Sequence, residues 1–361
     1  MESLDIRRRL GLRISEKLRE EAIREHPLQQ LFWECTLRCN LHCRHCGSDC
    51  KSVSDIKDMP YRDFAKVLDS VAAKTDPHKV FIIFTGGEPL MRPDLEACIA
   101  DVYRRGFPSG MVTNGYALTP AKLQRLVAAG LHTMTISLDG LEETHDWMRQ
   151  VKGSFARAEA AIRAAAASRL SAFDVVTCVN QRNYGQLPEI KRFLIDCGVK
   201  EWRLFSVFPV GRAAEDPELR LTKEQYTGLM EFIRTCRKEF AKNHEGAIKA
   251  SFGCEGFLGN YEGDVRDHFF FCQAGVFVGS VMVDGSISAC TSIRSDYIQG
   301  NIYRDDFMDV WENRFEKYRD HSWMRTGKCA ECKVWKHCLG NGMHLRDSGG
   351  NLLFCNYEML R

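Results

Sequence analysis

The chain has no excess of charge of either sign. Fifty basic residues stand against 48 acidic ones among 361, a formal net charge of +2. That balance excludes the strongly basic surface that nucleic-acid binding needs. No apolar run approaches eighteen residues, and the longest, Val80 to Leu90, has the length of a buried strand, so no membrane span is expected. Arg7-Arg8-Arg9 is followed by no apolar segment, which excludes a secretory or twin-arginine signal and predicts a cytoplasmic protein. With 44% hydrophobic and 27% charged residues the chain can bury a sizeable core. Its length suggests two or three domains.

Cysteine is what the chain has in abundance, with sixteen residues. A cytoplasmic protein seldom uses them for disulfides, so this content points to metal or redox chemistry. Five fall between Cys35 and Cys50 and four between Cys329 and Cys355, with Cys254, Cys272 and Cys290 in between. Cys98, Cys178, Cys197 and Cys236 lie in apolar or helical stretches and read as small buried hydrophobes.

Residues 1–29 form an N-terminal helix unit, an amphipathic segment with Leu4, Leu10, Ile14, Leu18 and Ile23 near one stripe, ended at His26-Pro27. From residue 30 to 210 the pattern alternates. Strands are expected at Leu31–Glu34, Val80–Thr85, Ser109–Thr113, Thr133–Leu138, Phe173–Val179 and Arg203–Phe208. Helices are expected between them at Tyr61–Ala73, Asp94–Arg105, Pro120–Ala129, Ser154–Arg169 and Gln186–Cys197. Such alternation implies parallel βα units, in an open sheet or a partial barrel. Residues 211–253 read as a linker, from polar Gly211 to Lys223, and a bridging helix at Glu224–Lys242. Residues 254–361 are cysteine-rich with short apolar runs, a hairpin at Asp284-Gly285 and a helix at Asp305–Tyr318. A region with so little core of its own is of the kind that metal clusters hold together.

Cys39, Cys43 and Cys46 have C-x3-C-x2-C spacing just after the first strand. Three thiolates on one loop can hold three irons of a 4Fe–4S cube and leave the fourth open. A zinc site completed by His42, His45, Cys35 or Cys50 fits the same spacing. Gly86-Gly87-Glu88-Pro89 ends the next strand, where glycines allow close backbone approach and a carboxylate can accept from an ammonium group. Together the loop and the turn resemble the radical S-adenosylmethionine (SAM) superfamily, over roughly residues 30–210. The resemblance implies a partial (β/α)6 TIM-like barrel, a SAM-binding 4Fe–4S cluster on Cys39, Cys43 and Cys46, and SAM itself as cofactor. It extends to Thr113-Asn114-Gly115 and Ser137-Leu138-Asp139-Gly140. It implies a SAM pocket made of His45, Gly86, Gly87, Glu88, Thr113, Asn114, Ser137, Asp139 and Arg149, with Ser137 and Asp139 near the ribose. Cys35 and Cys50 are not needed by the family and read as packed or idle thiols.

The C-terminal cysteines resemble the SPASM domain appended to many peptide-modifying radical SAM enzymes. Cys272-x12-Gly285-x4-Cys290 and Cys329-x2-Cys332-x5-Cys338 fit its pattern, but Gly342 stands where it expects a further cysteine. The resemblance implies two auxiliary 4Fe–4S clusters. Cys254, Cys272 and Cys290 would hold the first, with one iron open or bound by a non-cysteine ligand; a competing reading leaves that site empty. Cys329, Cys332, Cys338 and Cys355 would hold the second. Glycine at 342 could also reflect positive φ or close approach. Thr291 replaces the aspartate that sulfatase-maturing relatives carry after the cysteine matching Cys290, which speaks against formylglycine formation. Arg212, in Pro209-Val210-Gly211-Arg212, is placed by the resemblance facing SAM or substrate.

The function so implied is reductive cleavage of SAM to a 5′-deoxyadenosyl radical and oxidative modification of a peptide or small-protein side chain. The partners implied are that peptide, with its gene expected nearby, and an electron donor such as flavodoxin or ferredoxin. Alternatives are a radical SAM dehydrogenase acting on a small molecule and a non-enzymatic iron–sulfur carrier, though a carrier needs no GGEP turn. Residues 1–29 are too short for a leader-recognition domain, which leaves peptide recognition to the barrel mouth and residues 212–270. Phe32-Trp33-Glu34-Cys35, the stretch His45 to Cys50, and Gly340 to Arg346 resemble the Bacteroidetes radical SAM group paired with a lipoprotein.

Overall fold

A computed structural model describes residues 6–361. Its first helix, α1 (Ile6–Glu25), precedes strand β1 (Gln30–Thr36). Five further βα units follow: α2 (Tyr61–Lys74), β2 (Phe81–Gly86), α3 (Leu95–Arg104), β3 (Ser109–Thr113), α4 (Pro120–Ala128), β4 (Thr133–Ser137), α5 (Glu142–Arg149), α6 (Ser154–Ala166), β5 (Ala172–Val179), α7 (Gln181–Tyr184), α8 (Leu187–Asp196) and β6 (Glu201–Ser206). Then come α9 (Lys223–Lys242) and strands β7 (Lys249–Phe252), β8 (Val278–Val281), β9 (Ser286–Ser288) and β10 (Gly300–Asn301).

The strands form one open ten-stranded sheet in the order β10-β9-β8-β1-β2-β3-β4-β5-β6-β7. Neighbours from β1 to β7 pair in parallel because each return crosses over through a helix. The sheet is larger than the expected six strands. β7 extends one edge, and β8 pairs in parallel with β1, Gln30 opposite Val278 through Trp33 opposite Val281. The expected hairpin is present as β8 and β9, with Gly285 at φ +84° in its turn. The cysteine-rich region therefore shares the sheet and its core. Val281, Ile287, Trp311, Tyr318 and Met343 belong to the same buried cluster as Trp33, Phe64 and Ile136.

Several expectations are corrected. Helix α5 is absent from the sequence reading because its buried face is Thr144, His145, Met148 and Arg149, which carries little apolar periodicity. The expected helix over residues 305–318 is broken into Phe307–Asn313 and Glu316–Arg319. The stretch after Gly211 is docked, with Ala213 and Leu219 buried and Asp216 ion-paired to Arg44 at 2.7 Å. In α1 the stripe is the wrong one: Leu10, Ile14 and Leu18 are exposed, whereas Leu12, Glu16 and Arg19 are buried; Leu4 lies outside the described residues. Arg19 donates to the carbonyls of Lys336 and His337, and Glu16 meets Lys336 and His337, so α1 packs on the C-terminal region through polar contacts that hydrophobic periodicity cannot register. Among the described residues no helix is long and apolar enough to cross a membrane.

The segment between Cys254 and Cys272 is fixed by a buried ion pair. Glu262 accepts from Arg266 Nη2 at 3.0 Å and from the amides of Leu258 and Phe270. Removing one partner of such a pair leaves a buried charge uncompensated. Glu262→Ala is expected to cost about 3–5 kcal/mol, measured by anaerobic denaturant titration, with Glu262→Gln costing less.

Candidate active site

The site lies at the carboxyl ends of the parallel strands, where open α/β sheets bind ligands. The loop after β1 carries Cys39 and Cys43, both buried, and Cys46, partly buried. Each thiol has its own donor or neighbour. Asn114 Nδ2 lies 3.8 Å from Cys39 Sγ, and Arg149 Nη1 donates to Cys43 Sγ at 3.4 Å. Hydrogen bonds within the loop, with Arg212, pull the Cys46 thiol down to about 5. Cys50 is buried with Cys39, Leu41 and Cys43 in one packed cluster, in keeping with the reading of a packed thiol. Cys35 is buried in the main core and its carbonyl accepts from Arg92, as a packed residue would.

The GGEP turn packs directly on the cysteine loop. A Cβ on Gly86 would lie 2.1 Å from the Thr36 carbonyl oxygen, and one on Gly87 2.3 Å from that of Arg38. The glycines therefore let the turn close against the cysteine loop's own backbone. Glu88 is fully buried and accepts from Thr113 Oγ1 at 2.7 Å, the Asn114 amide at 2.8 Å and the Leu90 amide at 3.1 Å. Its carboxylate is committed to holding the third strand's end. Asn114 in turn donates to Asn40 Oδ1 at 2.8 Å.

Asp139 anchors the other side. Burial opposes its ionisation, but Arg149 Nη2 at 2.6 Å holds its carboxyl below the usual range, and Cys178 N–H donates to it at 2.8 Å. His45 Nε2 stands 3.8 Å from Asp139, and burial pushes its pKa down to about 4, so the ring is neutral. His45 Nδ1 is buried without a hydrogen-bond partner, and Asp139 Oδ2 is held by the ion pair with Arg149. Ser137, half-buried, closes β4. Arg212 clamps the loop, donating to Cys43 O and Asp49 Oδ1 at 2.8 and 2.7 Å.

A cavity of about 230 Å³ opens here. His45, Gly47, Ser48 and Gly86 line one side; Thr291, Ser292 and Arg294, beside Cys290, line the other; Cys178, Phe205, Ser206 and Phe208 form the wall between. Cys178, next to last in β5, is therefore a wall residue and not only core packing; its place at the carboxyl end of a strand is the signal that could have found it. Cys98, Cys197 and Cys236 are buried as expected. Arg294 is ion-paired to Glu34 at 2.7 Å, a contact no motif announced.

The C-terminal cysteines form two groups. Cys254 is exposed in this structure, and desolvation by the surrounding chain, with Cys290 and Cys272 adding to it, raises its thiol above the usual range. Burial raises Cys272. Burial raises Cys290 also. Cys338 is pushed up to about 12 by burial, with Cys355 and Cys329 contributing, and Arg346 Nη2 donates to Cys329 Sγ at 3.4 Å. Cys332 and Cys338 pack on Leu12, Phe257 and Val334. Gly342 has φ −67°, which excludes positive φ as the reason for glycine; a Cβ there would lie 2.5 Å from Glu255 O.

The donor sets fit iron–sulfur cubes better than zinc. Thiolates on one zinc ion, at about 2.3 Å from it, lie about 3.8 Å apart. Among the described residues, the group with ligand atoms within 4.8 Å of one another is His45, Asp139 and Cys178; neither cysteine set closes so tightly.

Comparison with known proteins decides the matter. Residues 33–194 match the model of the radical SAM superfamily, and residues 272–333 match that of the SPASM iron–sulfur cluster-binding domain. The chain carries a radical SAM domain and a SPASM domain. It is 29% identical over 86% of its length to the AdoMet-dependent heme synthase of Methanosarcina barkeri, covering 90% of that relative. It is 27% identical over 87% of its length to the mycofactocin maturase MftC of Mycobacterium tuberculosis, covering 78% of it. In fold it resembles Streptococcus suis SuiB bound to S-adenosylmethionine (TM-score 0.69, 16% identity, 89% of this chain and 75% of that one). It also resembles anSMEcpe with bound AdoMet and Cp18Cys peptide (TM-score 0.69, 18% identity, 89% and 90%). The two domains imply SAM and 4Fe–4S clusters as cofactors. The Bacteroidetes likeness finds no support among these relatives.

Anaerobically reconstituted radical SAM protein is expected to bind about twelve irons as three cubes, by iron and sulfide assay; stoichiometric zinc instead would refute the assignment. Replacing Cys39, Cys43 and Cys46 together with alanine should remove about four irons and all 5′-deoxyadenosine formation. Asp139→Asn, which deprives Arg149 of its buried partner beside Cys43, should lower 5′-deoxyadenosine formation roughly 10–100-fold at unchanged iron content.

Proposed function

We propose that the protein is a radical SAM enzyme that cleaves SAM reductively and oxidises a carbon of a peptide or small-protein side chain. The observation that carries this reading is the position of the cavity, between the Cys39–Cys46 loop and the Thr291–Arg294 segment beside Cys290. When bound, SAM and its cluster supply the radical that abstracts hydrogen, and the auxiliary clusters supply an acceptor for the substrate's electron. The chain's own residues do the rest. His45, Asp139 and Arg149 shape the SAM side and keep it dry, since Asp139 and Arg149 are buried and His45 largely so. Phe205 and Phe208 give the wall an apolar surface against which a side chain can pack. Thr291 offers a hydroxyl and no carboxylate at the far side, consistent with chemistry other than formylglycine formation. Reduction from outside by flavodoxin or ferredoxin and a cytoplasmic location belong to the same reading.

A small-molecule substrate is a second reading, favoured by the full-length similarity to a heme synthase. The two are separated by offering the reconstituted enzyme, with SAM and dithionite, peptides from neighbouring reading frames or iron-coproporphyrin III. A peptide mass loss of about two hydrogens with matching 5′-deoxyadenosine supports the first. Haem-type absorbance changes without peptide modification overturn it.

A further inference from the structure

Three cysteines, Cys254, Cys272 and Cys290, face the first auxiliary site, and a 4Fe–4S cube has four irons to ligate. The structure shows what occupies the place of the missing cysteine. A Cβ built on Gly342 would lie 2.6 Å from Cε1 and 3.0 Å from Nδ1 of His344. The imidazole thus fills the space in which a cysteine side chain at 342 would begin.

The turn carrying His344 is tied to the backbone beside a cysteine ligand. Gly342 N–H donates to the carbonyl of Glu255, the residue after Cys254, at 3.0 Å. Phe208 packs on the ring with centroids 4.2 Å apart, which fixes its orientation. His344 is only 7% exposed, yet its Nε2 has no hydrogen-bond partner. Leaving a buried polar nitrogen unsatisfied costs about 1–3 kcal/mol, and native proteins seldom tolerate it without a ligand to meet it.

We propose that His344 Nε2 is the fourth ligand of the auxiliary cluster held by Cys254, Cys272 and Cys290. The inference rests on that cluster's presence, part of the reading above, and goes beyond it in closing the site: no iron there is left for substrate. Imidazole is a common iron ligand. A neutral imidazole in place of a thiolate makes the cluster less negative by one charge, and histidine ligation raises iron–sulfur potentials in Rieske centres for that reason among others. The cluster is thereby tuned as an electron acceptor.

The test uses full-length protein in which Cys39, Cys43 and Cys46 are replaced by alanine, so that only auxiliary clusters contribute to the spectrum. Iron is counted, and the reduced protein is measured by pulsed EPR with natural-abundance and with 15N-labelled histidine. The expected result is about eight irons and a strong nitrogen coupling that follows the histidine label. The coupling should vanish in His344→Ala, while His344→Cys should keep the iron and lower the potential of that cluster. About eight irons without a histidine coupling would overturn the ligand assignment while leaving two auxiliary clusters in place. About four irons, unchanged when Cys254, Cys272 and Cys290 are replaced, would overturn it by removing the cluster it depends on.

Discussion

Parallel pairing of Gln30–Trp33 with Val278–Val281 is the constraint on which the rest of this molecule depends. It places a strand of the cysteine-rich region beside the strand that delivers the cluster loop, with β2 on the other side. β9 runs antiparallel to β8, so the chain after it has to turn back; the Arg294–Glu34 ion pair holds the returning segment on β1, and both it and the cluster loop line the cavity. Two iron–sulfur domains on a flexible linker could not hold a substrate between their clusters. A shared sheet holds them at a fixed separation at no further entropic cost.

Around that frame, close backbone approach and buried carboxylates position the thiols. The Gly86-Gly87 turn tolerates no side chain because it lies on the Thr36–Arg38 backbone. Glu88, Asp139 and Glu255 are each fully buried and each spends its oxygens on neighbouring groups. Glu255 accepts from the amide and hydroxyl of Ser206 and from Asn356 at 3.2 Å, and burial pushes it up to about 8. It joins the cavity wall to the auxiliary region directly after Cys254. Charges so placed are costly unless satisfied, and the same satisfaction fixes the geometry of the adjacent ligands.

Much of the fold was legible. The six expected strands fall within two residues of the observed ones at nearly every end, because alternating apolar runs and amphipathic helices report burial in a parallel sheet directly. The cysteine spacing and the GGEP turn marked the site for a similar reason: ligands on one short loop keep their relation in sequence. Less legible was whatever is buried without being apolar. Helix α5 and the true face of α1 are built from Thr144, His145, Arg149, Glu16 and Arg19, residues whose burial is compensated by partners far away in the chain. The intramolecular contacts of Glu88 and Arg212 were illegible on the same ground, since a carboxylate or guanidinium does not announce which donor or acceptor within the chain will claim it.

The sequence by itself determined the chemistry of this protein: which thiols are available, that three of them share a loop, and that the chain can build parallel βα units behind them. Local spacing and periodicity suffice for that, because they act over a few residues. Only the tertiary structure decided that the two cysteine-rich regions share one sheet, that Cys178 belongs to the site, and that the ring of His344 fills the space beside Gly342. Those outcomes depend on contacts between residues tens to hundreds of positions apart. Packing and hydrogen-bond satisfaction in three dimensions set them, and no one-dimensional pattern encodes them.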